Sequence, residues 1–116
     1  MEKLVRDLIP ALMLSKGVEP KTRVLDAQER LPWLLAKLRE EVEEVCESPC
    51  LEECADVLEV VRAIAAHLGF DAEALDDAAR KKVIARGAFA SGLVLEVPGS
   101  EIGGRQTGNR GGGSPD

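Results

Sequence analysis

The chain has 116 residues and a formal charge of −6; 45% of the residues are apolar but only 3% aromatic. Such a length supports one domain with a small core, and the near absence of aromatic rings makes that core aliphatic, which suits packed helices. The negative charge argues against binding along a nucleic-acid backbone, which needs a basic surface. No apolar run reaches the roughly 18–20 residues of a membrane span, and no apolar leader follows Met1, so a soluble, cytoplasmic protein is expected.

In chain order, Leu4-Val5, Leu8-Ile9 and Leu12-Met13 recur at helical spacing. Pro10 suits only the start of a helix and Gly17 its end, which predicts an extended Lys3–Arg6 followed by a short helix ending near Lys16. Asp26 and Glu29 have the spacing of a capping box, so a second helix starts there. Pro32 then implies a separate first turn or a kink. Leu31, Leu34, Leu35, Leu38, Val42 and Val45 form one apolar stripe. Ser48 reads as the N-cap and Pro49 as the first residue of the next helix, giving two antiparallel helices at about 27–47 and 49–68. A further helix over 72–86, capped by Asp71 and stopped by Gly87, carries an Ala-rich face. Gly92–Val97 is expected as a short strand, and residues 98–116 as a flexible Gly-rich tail.

Between Glu40 and Glu59 there are nine acids and no Lys or Arg. If the two helices meet at Ser48-Pro49, residues whose numbers sum to 97 lie opposite: Glu41 faces Asp56 and Glu44 faces Glu53. An acidic stretch is ordinarily a solvated face, but Glu53 aligns with Val57, Val60 and Ile64 on the apolar stripe, with Asp56 beside it. Two like charges about 5 Å apart at an effective dielectric of ~20 repel by roughly 3 kcal/mol. Four converging carboxylates therefore call for protonation or a cation, and hard oxygen donors select Mg²⁺, with Mn²⁺ the alternative. Such a site suits phosphate-ester or pyrophosphate chemistry, with Glu41, Glu44, Glu53 and Asp56 as ligands and Glu40 taking a proton from water. Lys3, Arg6, Lys37, Lys82 and Arg86 are the cations that could meet substrate phosphates, each weighed against an ordinary surface charge.

Cys46, Cys50 and Cys54 cannot all pair within one chain, and neither Cys-x-x-Cys nor a neighbouring His supports zinc. They read as small, partly buried space-fillers in a reducing compartment. His67 reads as a helix-end residue favoured by the dipole.

Glu40-Glu41-Val-Glu-Glu44 followed by Glu53-Cys-Ala-Asp56 resembles the signature of the MazG-like all-α nucleoside triphosphate pyrophosphohydrolases. Lys3-Leu-Val-Arg-Asp-Leu-Ile-Pro10, Lys37-Leu-Arg-Glu-Glu41, Ala55-Asp-Val-Leu-Glu-Val60 and Lys81-Lys-Val-Ile-Ala-Arg-Gly-Ala-Phe89 are similar to the phosphoribosyl-ATP pyrophosphohydrolase-like branch. The likeness covers about residues 3–95. It departs at Gly87-Ala-Phe89, where the branch commonly has Gly-Gly-Phe, and in a shorter gap between the two acidic motifs. The resemblance implies Mg²⁺-dependent cleavage between the α and β phosphates of a nucleotide, with Glu41, Glu44, Glu53 and Asp56 as metal ligands.

The expected fold is thus an all-α bundle over 1–97, built on a central antiparallel hairpin and completed by homodimerisation, or higher homo-oligomerisation, into a four-helix core. The expected function is nucleotide pyrophosphate hydrolysis, with no nucleic-acid polymer and no membrane as partner. The alternative is a non-catalytic helical interaction module whose acids bind a structural metal or a basic partner.

Overall fold

The computed structural model describes residues 1–99, and within them all regular structure is helical. The expected tail at 98–116 lies, from residue 100 onward, outside the described residues. The chain falls into two units, 1–75 and 76–116. Four helices follow in order: α1 (Ile9–Ser15), α2 (Ala27–Glu47), α3 (Leu51–His67) and α4 (Ala72–Arg86), the last running across the boundary between the units.

Local chemistry explains most of these limits. α1 begins with Pro10 in its first turn, where a missing N–H costs nothing. It ends with Gly17 at φ +81°, where the N–H groups of Val18 and Gly17 donate to the carbonyls of Met13 and Leu14. Those two bonds satisfy end carbonyls that the helix itself leaves open. α2 opens on the capping box: Glu29 N–H donates to Asp26 Oδ1 at 2.9 Å and Asp26 N–H donates to Glu29 Oε1 at 3.2 Å. Pro32 lies within α2, so the first turn is not a separate element. α3 ends as α1 does, with Gly69 at φ +96° and the N–H groups of Phe70 and Gly69 donating to Ala65 and Ala66. Asp71 caps α4, accepting from Ala74 N–H at 2.8 Å.

Two of the expected elements change. Ser48 does not start α3, because its N–H donates to the Glu44 carbonyl at 2.9 Å and so closes α2. Pro49 keeps the residue before it out of helical conformation. Cys50, with extended backbone (φ −159°, ψ 170°), becomes the N-cap of an α3 that starts at Leu51. Secondly, Gly92–Val97 is not a strand: no strand exists among the described residues to pair with it. Leu93 and Val94 are 90% and 96% exposed.

Within residues 1–75, α2 packs against α3 across the three-residue connection. Val42, expected on the α2 stripe, is 44% exposed, but the packing shields the other stripe residues: Leu31, Leu34, Leu35, Leu38 and Val45 on α2, and Val57, Val60 and Ile64 on α3 with Val61 beside them. The shielded residues are half-buried, and no described residue of the chain is fully buried. The cysteines depart from expectation too: Cys46, Cys50 and Cys54 are free and exposed, placed around the connection rather than under it. Among the described residues no helix is long and apolar enough to cross a membrane.

Candidate metal centre

Three carboxylates on two helices converge. Glu41 from α2 and Glu53 and Asp56 from α3 each bring one oxygen to within 4.8 Å of the others. All three are half-buried, whereas their neighbours Glu43, Glu47, Glu52 and Glu59 are exposed. The helices explain the selection. Glu53 and Asp56 fall on the same turn-by-turn face as Val57 and Val60, so the packing that shields the valines shields the acids as well. Glu41 lies opposite Asp56, as the register through the connection requires.

Glu44, the fourth expected ligand, is exposed and stands outside this trio. Its charge is nonetheless felt. The Glu53 carboxyl is held above its ordinary value of 4.5, first by partial desolvation and then by the charges of Glu44, Asp56, Glu41 and Glu52.

Cations from α2 and from the segment before α1 pair with Glu41 and Asp56 of the trio and with the adjacent Glu40. Arg6 Nη2 donates to Asp56 Oδ1 at 2.7 Å. Lys37 Nζ lies 3.3 Å from Glu41 Oε2 and 3.3 Å from Glu40 Oε1, and Lys3 Nζ lies 3.1 Å from Glu40 Oε2. Partial desolvation works against the Lys37 charge, but its bonds to Glu40 and Glu41 outweigh it and raise its pKa. Glu40, held by hydrogen bonds from Lys3 and Lys37, is pushed below the usual carboxylate range. Three of the five cations expected to meet phosphates therefore already sit on the acidic cluster or beside it. Lys82 and Arg86 lie one turn apart on α4 in the second unit, both exposed.

Two cavities open next to the cluster, both lined by residues of the first unit. One of about 940 Å³ reaches from Arg6 past Trp33 to Ala63 and His67. The other, about 310 Å³, runs from Trp33 to Lys37 and Glu40 along α2. Trp33 borders both, and Arg23 lies over its ring at 5.7 Å from the centroid. Sequence spacing alone does not single out Trp33 or Arg23. Trp33 could have been found as the residue one helical repeat before Lys37 and two before Glu41. Arg23 carries no local signal, because only the path of the 18–25 segment brings it to the ring.

The donor set suits a hard divalent cation. All three groups offer carboxylate oxygen, and no Cys or His joins them. Oxygens bound to Mg²⁺ at ~2.1 Å stand at most ~4.2 Å apart, so three oxygens already within 4.8 Å need to move little to share one ion.

Searches against protein-family models, curated proteins and solved structures returned no match for this chain.

Proposed function

We propose that this chain is a soluble, cytoplasmic, Mg²⁺-dependent nucleotide pyrophosphohydrolase that cleaves between the α and β phosphates of a nucleoside triphosphate or a phosphoribosyl-ATP-like substrate. The observation that carries this reading is the approach of Glu41, Glu53 and Asp56 to within 4.8 Å across two helices. The likeness of Glu40–Glu44 and Glu53–Asp56 to the MazG-like signature supports it from the sequence side.

Glu41, Glu53 and Asp56 would hold the metal, with Glu44, whose charge reaches Glu53, as the fourth ligand the sequence suggests. When bound, Mg²⁺, or Mn²⁺ in its place, supplies charge neutralisation for phosphate oxygens and acidifies water. The rest falls to the side chains. Attack of water on phosphorus forms one P–O bond and breaks the bridging one, giving a nucleoside monophosphate and pyrophosphate, and Glu40 takes the water's proton. Without substrate Glu40 is a weak base, because Lys3 and Lys37 hold its negative charge. Substrate phosphates compete for those two lysines. As Lys3 and Lys37 turn to phosphate, Glu40 loses its donors and becomes more basic where a base is needed. Arg6, on Asp56, is positioned to do the same.

The active form is a homodimer in which two α2–α3 hairpins make a four-helix core. Half-buried stripes with no fully buried residue among those described, and large apolar side chains on the hairpin itself such as Val42, Leu51 and Leu58 at 44%, 80% and 46% exposure, support it. A monomer mass by light scattering at micromolar concentration would remove the dimer from this reading.

The deciding experiment assays pyrophosphate release from a panel of nucleoside triphosphates and phosphoribosyl-ATP, with and without Mg²⁺, for the wild type and Glu53→Gln. Metal-dependent release that Glu53→Gln abolishes, with helical content unchanged, supports the proposal. Absence of turnover of every substrate, with melting still Mg²⁺-dependent, would leave the metal-stapled interaction module instead.

A further inference from the structure

Trp33, the chain's one tryptophan, sits half-buried where the two cavities meet. Residues four apart on a helix share a face, so Trp33, Lys37 and Glu41 form a row along α2 that ends in the carboxylate cluster. Lys37 bridges the row, since its Nζ is already 3.3 Å from Glu41. Eight residues of helix separate the two ends by about 12 Å.

Arg23 adds a second planar group. Its guanidinium lies 5.7 Å from the Trp33 centroid and is held by Glu2, with Nε at 2.9 Å from Oε2 and Nη2 at 3.1 Å from Oε1. Glu29 Oε1 lies 3.5 Å from Nη1. These bonds fix the guanidinium plane against the indole. If the pair merely stapled the 18–25 segment to α2, close packing would be expected around it. Instead it borders about 940 Å³ of open cavity, in the range of small-molecule sites. The cavity's other walls include apolar Leu4, Ile9, Leu34 and Ala63.

A planar ring with a π-face suits such walls, because nucleobases stack on aromatic side chains and on arginine planes alike. A negative tail on the same ligand suits Lys3, Arg6 and Lys37, which lie between this cavity and the carboxylates. We propose that the cavity beside Trp33 is the base-recognition subsite of a nucleotide, where the base stacks on the Arg23–Trp33 pair while its phosphates extend along α2 toward Lys37 and Glu41. The assignment rests on reading the carboxylate cluster as the phosphate end, but its test does not need turnover.

Because Trp33 is the sole indole, its fluorescence reports on the subsite directly. The full-length chain is titrated in EDTA with adenosine monophosphate and, separately, with ribose 5-phosphate, which carries the phosphate without a base. A saturable change with adenosine monophosphate and none with ribose 5-phosphate supports the subsite. No saturable change, or equal responses to the two, overturns it. Equilibrium dialysis of radiolabelled adenosine monophosphate then compares the wild type with Trp33→Leu and Arg23→Ala, whose helical content is checked by circular dichroism. Loss of one stacking partner weakens binding about tenfold. Wild-type affinity in either folded variant overturns the proposal. A protein that binds adenosine monophosphate in EDTA but releases no pyrophosphate would refute the hydrolase and keep the subsite. Pyrophosphate release without any base-dependent signal would do the reverse.

Discussion

Arg6 and Asp56, fifty positions apart in sequence, are joined by a 2.7 Å hydrogen-bonded ion pair. The link ties the segment before α1 to α3 and places a guanidinium on a carboxylate that the proposed function gives to a metal. Arg6 and Mg²⁺ are then competitors for the same group. Their side chains are 56% and 39% exposed, so the pair adds at most about 1 kcal/mol to stability. Arg6→Ala should therefore lower the metal-free melting temperature by no more than a few degrees. It should also enlarge the upward shift that Mg²⁺ produces. Thermal melts with and without Mg²⁺ measure both, and an unchanged Mg²⁺ response would show that the two do not compete.

Glu44 and Glu53 should separate on metal binding. Glu53 is half-buried and within the trio, while Glu44 is exposed and felt only through its charge. Calorimetric titration with Mn²⁺ should show binding lost in Glu53→Gln and weakened by about tenfold in Glu44→Gln, the equivalent of ~1.4 kcal/mol. Equal losses would make Glu44 as direct a ligand as Glu53.

The Glu2–Arg23 pair predicts a pH effect. A hydrogen bond from Arg23, and then its charge, lower the Glu2 pKa from its ordinary 4.5. A carboxyl with a lowered folded-state pKa contributes stability that is complete above its unfolded value and is lost as pH falls through the folded one. The contact that steadies Arg23 over Trp33 should accordingly hold at neutral pH and loosen below pH 4.5. Trp33 emission followed against pH should show that step, and Glu2→Gln should remove it.

Gly69 holds a left-handed conformation at φ +96°, and an added Cβ would meet no atom within 4 Å. The cost of Gly69→Ala is conformational and not steric crowding by neighbours. It should destabilise by about 1–2 kcal/mol, measured by urea denaturation, with helical content retained.

Where neighbours in sequence settle the structure, the sequence was readable. Asp26 and Glu29 announce the start of α2, and Gly17 and Gly87, both at positive φ, mark helix ends, because caps and left-handed turns are made within five residues. The opposition of Glu41 and Asp56 was legible for a related reason: a tight connection fixes the register of the helices on either side. The same connection misled at finer scale. Ser48 has the chemistry of an N-cap, but its N–H was already committed to Glu44, and the cap passed to Cys50. Leu93–Val97 has strand composition, yet a strand needs a neighbour with which to share its hydrogen bonds, and composition does not supply one. The contacts of Lys3, Arg6 and Arg23 stayed hidden because they depend on where irregular segments cross the helices, which no periodicity encodes.

The row Trp33, Lys37, Glu41 has a consequence for selectivity. Its span is set by the rise of one continuous helix, a stiff ruler whose length does not vary as loops breathe. Substitutions at its marks can change what is gripped but not how far apart the grips stand. Lengthening the ruler would take an inserted residue, and each insertion also turns everything beyond it by about 100° about the helix axis, carrying Glu41 away from Asp56. With a nucleotide in the proposed subsite, discrimination by ligand length would therefore be built into α2 and resist gradual change, whereas discrimination among rings of similar size would be open to single substitutions around Trp33.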